Sequence, residues 1–182
     1  MTSNYTVTST VPDSSVSYEV LKDTDRNDGV INYTPSYGKS SDIFALAKAF
    51  LSIAPMTDKK LQKLCYYAKA WYLALYDKNL ISEQFQAWVH GAVQPALYQK
   101  YKTYGYDEIP QVTNTDDIPE EFLSFAHDVY ESYGHLSGYD LECLNHQEDP
   151  WINARGDCKP WERCTNEISE EDMKTYYRKM IK

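Results

Sequence analysis

Between Leu61 and Leu75 the chain carries one unbroken apolar stripe. Leu61, Leu64, Cys65, Ala68, Trp71, Tyr72 and Leu75 recur at steps of three and four residues. That spacing brings each side chain back to one face of an α-helix, whereas a strand alternates its faces at every residue. A helix with so wide an apolar face must be covered by other elements. The segment therefore predicts the central core helix of an all-α globule. Lys59, Lys60, Lys63 and Lys69 fall mostly off the stripe and read as a solvated side.

Helical spacing recurs on both sides of it. Ile43, Leu46, Ala47, Phe50, Leu51 and Ala54 predict a helix capped by Ser40 or Ser41 and ended by Pro55. Phe85, Ala87 and Val89 alternate, which suits a short extended piece as well as a helical turn. Gly91 reads as a turn. Pro95 suits the first position of a helix with Leu97, Tyr98 and Tyr101 inside, and Gly105 is its left-handed stop. Asp117 stands three before Glu120, as a capping box requires, ahead of Phe122, Phe125, Ala126, Val129 and Tyr133, with Gly134 closing the helix. Ser137 with Asp140, Asp149 before Pro150, and Ser169 with Asp172 mark three further starts. Ile168 and Met173 are spaced as a hydrophobic staple around the last of these. The sum is six or seven helices with at most a short extended segment, in one compact domain over 41–182.

Residues 1–40 differ. They are rich in Ser, Thr, Asn and Asp and lack helical spacing. Val7, Val11, Val16, Tyr18, Val20 and Leu21 suit a short strand, and the stretch from Val30 to Ser41 reads as a loop. The extension is expected either to be flexible or to fold onto a partner.

Eighteen basic residues against 27 acidic ones leave a net charge of −9. Such a surface repels polyanions and argues against a nucleic-acid partner. No apolar run approaches the ~20 residues of a membrane span. The first residues lack the basic start and apolar stretch of a secretory signal, so a cytoplasmic protein with reduced cysteines is expected. Seventeen Tyr, five Phe and four Trp are compatible with an interface, or with Tyr standing in for Phe and Leu in the core.

Three segments, in order, resemble the motifs of one family. They are KLQKLCYYAKAWYLALYDKNLI from Lys60 to Ile81, FQAWVHGAVQPALYQKYKTYG from Phe85 to Gly105, and LSGYDLECLNHQEDPWINAR from Leu136 to Arg155. The first resembles the opening helix of the Panacea antitoxin domain, a SocA-like family related to phage-associated GepA proteins. The second resembles its aromatic-glycine turn leading through Pro-x-Leu-Tyr. The third resembles the motif marked here by His146, Glu148, Pro150, Trp151 and Arg155. Two positions depart from the family pattern. The turn usually reads Gly-Pro-Val and here is Gly91, Ala92 and Val93, and a Thr usually stands where this chain has Asn145. The resemblance runs from about Thr57 to the end.

It implies a non-enzymatic antitoxin, without cofactor, that neutralises a cognate protein toxin encoded by a neighbouring gene through direct binding. Some relatives act instead as adaptors delivering a toxin to a AAA+ protease. Others belong to phages or prophages, where a host factor is the alternative partner. The resemblance implies no catalytic centre.

Trp88, His90, Tyr98, His146, Trp151 and Arg155 are the candidate partner-binding residues, since Trp, Tyr and Arg commonly anchor interfaces. Three of them have a competing structural reading. His146 could clamp its turn by bonding a helix end or a carboxylate, Trp151 could anchor the core, and Arg155 could pair with Glu148 or Asp149. Cys143, His146, Cys158 and Cys164 are the ligand types of a structural zinc site, but the gaps of 11 and 5 residues after His146 are not a finger spacing. The reading is therefore no metal. Cys143 or Cys65 as a nucleophile with His146 lacks a third, orienting group. A Cys158–Cys164 disulfide would need an oxidising compartment.

Overall fold

A computed structural model describes residues 5–11, 14–20 and 42–181. The expected Ser40 or Ser41 cap and the loop expected up to Ser41 lie outside them. Two strands, β1 (Tyr5–Val11) and β2 (Ser14–Val20), pair antiparallel with Tyr5 opposite Val20. The scattered valines of this stretch thus belong to two strands rather than one.

The remaining elements follow in chain order. They are α1 (Asp42–Ile53), β3 (Met56–Thr57), α2 (Asp58–Tyr76), β4 (Gln86–Trp88), β5 (Gly91–Val93), α3 (Pro95–Tyr101), β6 (Glu108–Ile109), α4 (Glu120–Tyr133), α5 (Gly138–Asn145), α6 (Asp149–Arg155) and α7 (Glu170–Arg178). Seven α-helices among the described residues, with only short strands, make this an all-α fold. The alternating run at Phe85 resolves as extended chain, and β4 with β5 forms a small hairpin.

The centre is α2, as its stripe predicts. It packs against α1, α3, α4, α5 and α7. Thr57 caps its start, its side chain accepting the Lys60 N–H at 3.3 Å. Asp77 ends it in the left-handed conformation with φ 57°, donating its N–H to the Leu73 carbonyl. Enclosure from so many directions overturns the solvated-lysine reading for two of the four. Lys63 and Lys69 are buried. Lys63 Nζ donates to the Ala92 carbonyl at 2.9 Å. Lys69 Nζ donates to the Glu83 carbonyl and pairs with Glu170 Oε1, both at 2.7 Å. These partners replace the water that each ammonium gives up.

Many tyrosines are core residues. Tyr67 stacks on Tyr133 with centroids 4.3 Å apart, and Trp71 lies 5.0 Å from Tyr177. Trp71 Nε1 donates to the Tyr133 hydroxyl at 2.8 Å, so the polar edges of two large rings satisfy one another.

Helix punctuation agrees in two of three boxes. Ser137 and Asp140 form a reciprocal capping box at α5, and Ser169 accepts the Asp172 N–H at α7. The third fails. Pro119 occupies the N-cap of α4, without a side-chain cap, and Asp117 is drawn off by an ion pair with Lys48.

Candidate functional site

The β4–β5 hairpin is held from beneath by side chains of α2 and α5. Its register pairs Gln86 with Val93, Ala87 with Ala92 and Trp88 with Gly91, so Val89 and His90 form the turn. Gly91 has φ +91°, and a Cβ there would meet Lys63 Cε at 2.6 Å and Asn145 Oδ1 at 2.8 Å. Only glycine meets both demands, the positive φ and the close approach. The Ala92 carbonyl accepts from Lys63, and its N–H donates to Asn145 Oδ1 at 2.6 Å. The Gln94 N–H donates to Gln62 Oε1 at 2.9 Å, while Gln94 Oε1 caps α3 by accepting the Leu97 N–H. On the other strand the Ala87 N–H donates to the Asn166 carbonyl at 2.9 Å, and the Phe85 carbonyl accepts the Ile168 N–H at 2.8 Å.

Below Asn145 lies a buried carboxyl. Asn145 Nδ2 donates to Glu148 Oε2 at 3.1 Å, the Tyr177 hydroxyl donates to the same oxygen at 2.8 Å, and the Tyr67 hydroxyl lies 3.3 Å from both oxygens. Burial pushes the Glu148 carboxyl up to about 7 despite these three donors. Burial also brings the Lys63 ammonium down to about 7, against the attraction of Glu142.

The six candidate partner-binding residues gather around this hairpin. Trp88 meets Tyr98 edge-to-face with centroids 5.1 Å apart. Trp151 Nε1 donates to the Trp88 carbonyl at 3.1 Å, and the His146 ring stacks on Trp151 at 4.3 Å. The Arg155 guanidinium lies 5.4 Å from the Trp151 ring centre. His90 Nδ1 sits 3.0 Å from Glu142 Oε1, and Lys59 pairs with the other oxygen of that carboxylate. Burial opposes ionisation of Glu142, but the hydrogen bonds from Lys59 and His90 outweigh it and hold the carboxyl below its usual range.

Their exposure separates them into two groups. His90 projects from the turn with 72% of its side chain accessible, and Trp88, Tyr98, His146 and Trp151 are half-buried. Arg155 is 4% exposed and cannot itself touch a partner in this conformation. It donates to the carbonyls of Ala87 (3.3 Å), Glu162 (3.0 Å) and Lys159. The expected ion pair with Glu148 or Asp149 is absent from these contacts. Glu148 and Arg155 stand seven residues apart at opposite ends of α6, about 10 Å along its axis. His146 stands at the C-cap of α5 through its backbone alone, and its ring meets the Trp151 ring and the Val89 backbone rather than the helix end or carboxylate of the clamp reading. Burial lowers its pKa, against the pull of Glu142.

Sequence reasoning missed Tyr139, 68% exposed and in contact with Cys143. Tyr139, Cys143 and His146 follow one another at four- and three-residue spacing, which places them on one face of α5. That spacing was the signal that could have found them. Tyr139 and His146, with Trp151, Trp88 and Tyr98, make a strip of partly exposed rings. The zinc candidates do not converge: among the described residues no three His, Cys, Asp or Glu side chains are grouped as a metal ion requires. Cys65 is buried, and burial pushes its thiol well above the usual range, the opposite of an activated nucleophile.

The model of the family described as "Antitoxin SocA-like, Panacea domain" matches residues 61–152, just over half of the chain. The chain belongs to this SocA-like Panacea family. The matched stretch runs from α2 into α6 and holds the whole hairpin with Trp88, His90, Tyr98, His146 and Trp151, while Arg155 lies just beyond it. The chain is similar to "Antitoxin SocA" of Caulobacter vibrioides (strain NA1000 / CB15N), at 27% identity over 135 residues, covering 62% of this chain and 70% of that protein. No solved structure gives a significant match. Among the described residues no helix is long and apolar enough to cross a membrane. The antitoxin family thus shares with this chain the segment that builds the hairpin and its aromatic surround.

Proposed function

We propose that this chain is the antitoxin of a toxin–antitoxin pair, a non-enzymatic cytoplasmic protein that masks a cognate toxin by direct binding. The toxin is the product of a neighbouring gene. Membership of the SocA-like Panacea family is the observation that carries this reading. The binding surface is the ring strip with the His90 turn. Half-buried Trp and Tyr side chains bring large contact area at low conformational cost, since the fold already fixes them. Arg155 is a positioning residue: it fixes the strand beneath Trp88 and touches no partner.

The test is co-expression with the adjacent open reading frame, scoring growth and then co-purification. The neighbour alone should stop growth, and this chain should restore it and elute with it in fixed ratio. His90→Ala and Tyr139→Ala remove exposed side chains and should each weaken the complex about 10-fold or more, as interface anchors do. Unchanged affinity in both would move the surface elsewhere. A toxin whose cellular half-life shortens when this chain is present would point to proteolytic delivery instead of masking.

A further inference from the structure

Past α6 the chain makes a tight turn that Arg155 clasps. The Glu162 N–H donates to the Lys159 carbonyl at 2.9 Å, which closes a β-turn over Lys159, Pro160, Trp161 and Glu162. Pro160 stands at its second position, where a fixed φ suits the turn. The Glu162 side chain folds back and accepts the Lys159 N–H at 3.2 Å. The buried Arg155 guanidinium donates to the Glu162 carbonyl at 3.0 Å and to the Lys159 carbonyl, so both ends of the turn are held. The Cys158 N–H donates to the Arg155 carbonyl at 2.9 Å and ties down the approach to the turn.

All this fastening presents one large side chain. Trp161 is 76% exposed, whereas Trp71 is buried and Trp88 and Trp151 are half-buried. Among the described residues the Trp161 indole makes no hydrogen bond and no ring contact. Its backbone is already ordered, so binding through this ring costs little further chain entropy. Asp157 and Glu162 balance Lys159 and Arg163, which leaves the turn neutral on a chain of net charge −9. The ring can thus lose its water without burying an unbalanced charge beside it. The turn also adjoins the proposed binding surface. The guanidinium that clasps it holds the Ala87 carbonyl of β4 at 3.3 Å and lies 5.4 Å from the Trp151 ring centre. The turn falls beyond residues 61–152, so the family match does not account for it.

We propose that Trp161 is a pre-organised anchor that inserts into an uncharged apolar pocket of the cognate toxin. The proposal rests on the antitoxin reading above and extends its surface from the ring strip across Arg155 to this turn. A buried Trp brings about 150–250 Å² of contact, and Trp is prominent among the residues that dominate interface energies.

The experiment measures the affinity of the full chain for the product of the adjacent open reading frame. Trp161→Ala should weaken the complex about 30-fold and leave the thermal midpoint of the free chain unmoved. Trp161→Phe, still apolar and aromatic, should keep most of the affinity. Trp161→Lys and Trp161→Glu should both lose it, because an uncharged pocket rejects either sign. Complex formation should shift tryptophan emission to the blue in the wild type, and the shift should shrink in Trp161→Phe. Full affinity in Trp161→Ala, with the wild type bound, would overturn the anchor and leave the antitoxin reading standing. A loss that appears only together with a fallen thermal midpoint would make the ring structural and overturn it too. Retained affinity in either charged variant would refute the apolar pocket. No binding by the wild type would defeat the antitoxin reading and this proposal with it.

Discussion

The backbone N–H of Ala92 and the side-chain oxygen of Asn145 meet at 2.6 Å in the interior, joining the hairpin to the end of α5. Proline has no N–H, so a proline at position 92 could not make this bond. Ala92→Pro should leave Asn145 Oδ1 unpaired, and Asn145→Thr should orphan the Ala92 N–H. Each should cost about 1–3 kcal/mol, and the double change should cost clearly less than their sum. Urea midpoints for the four members of the cycle decide it, and strict additivity would sever the link.

Glu148 makes stability depend on pH in an uncommon direction. Its folded-state value is raised from 4.5 to about 7. Below 4.5 the carboxyl is protonated in both states and contributes nothing. Between 4.5 and about 7 the unfolded chain releases the proton and the folded chain keeps it, so this group's contribution falls as pH rises. Above about 7 the full cost is present, on the order of 3 kcal/mol. Glu148→Gln, neutral at every pH, should gain on the wild type between pH 5 and pH 8. An unchanging difference across that range would show that Glu148 does not carry this term.

Arg155 tests whether a buried residue can govern a surface. Lysine retains the charge but not the planar fork that reaches three carbonyls. Arg155→Lys should destabilise the chain by about 1–3 kcal/mol and weaken toxin binding as well. Full affinity in a folded Arg155→Lys protein would show that hairpin placement is irrelevant to the complex.

Gly91 has both a left-handed backbone and no room. Gly91→Ala should cost about 3 kcal/mol or more, from strain and from displacing Lys63. A thermal midpoint close to that of the wild type would mean the hairpin can lift away from α2 cheaply.

Local signals made much of this legible. The stripe from Leu61 to Leu75 announced α2, and Ser137 and Ser169 announced two helix starts, because those patterns act within a few residues. The fate of Lys63 and Lys69 was not legible. Their carbonyl partners, on Ala92 and Glu83, lie 29 and 14 residues away in sequence, and only tertiary packing brings them together. Asp117 shows the converse. Its three-residue spacing is right for a capping box, yet Lys48, 69 residues away, takes the side chain. At the candidate site, the Trp and His residues could be named from motif resemblance. The exposure of Tyr139 and the concealment of Arg155 could not, since neither follows from residue type.

The bonds from Ile168 to Phe85 and from Tyr177 to Glu148 also impose an order in time. Synthesis delivers the hairpin early and its fasteners late. A ribosome that has made α2, the hairpin and α5 still withholds the strand edge at Ile168 and the hydroxyl of Tyr177. On the proposed reading, protection begins only after α7 emerges, so a cell interrupted in mid-translation is left with nascent chains that do not yet shield it.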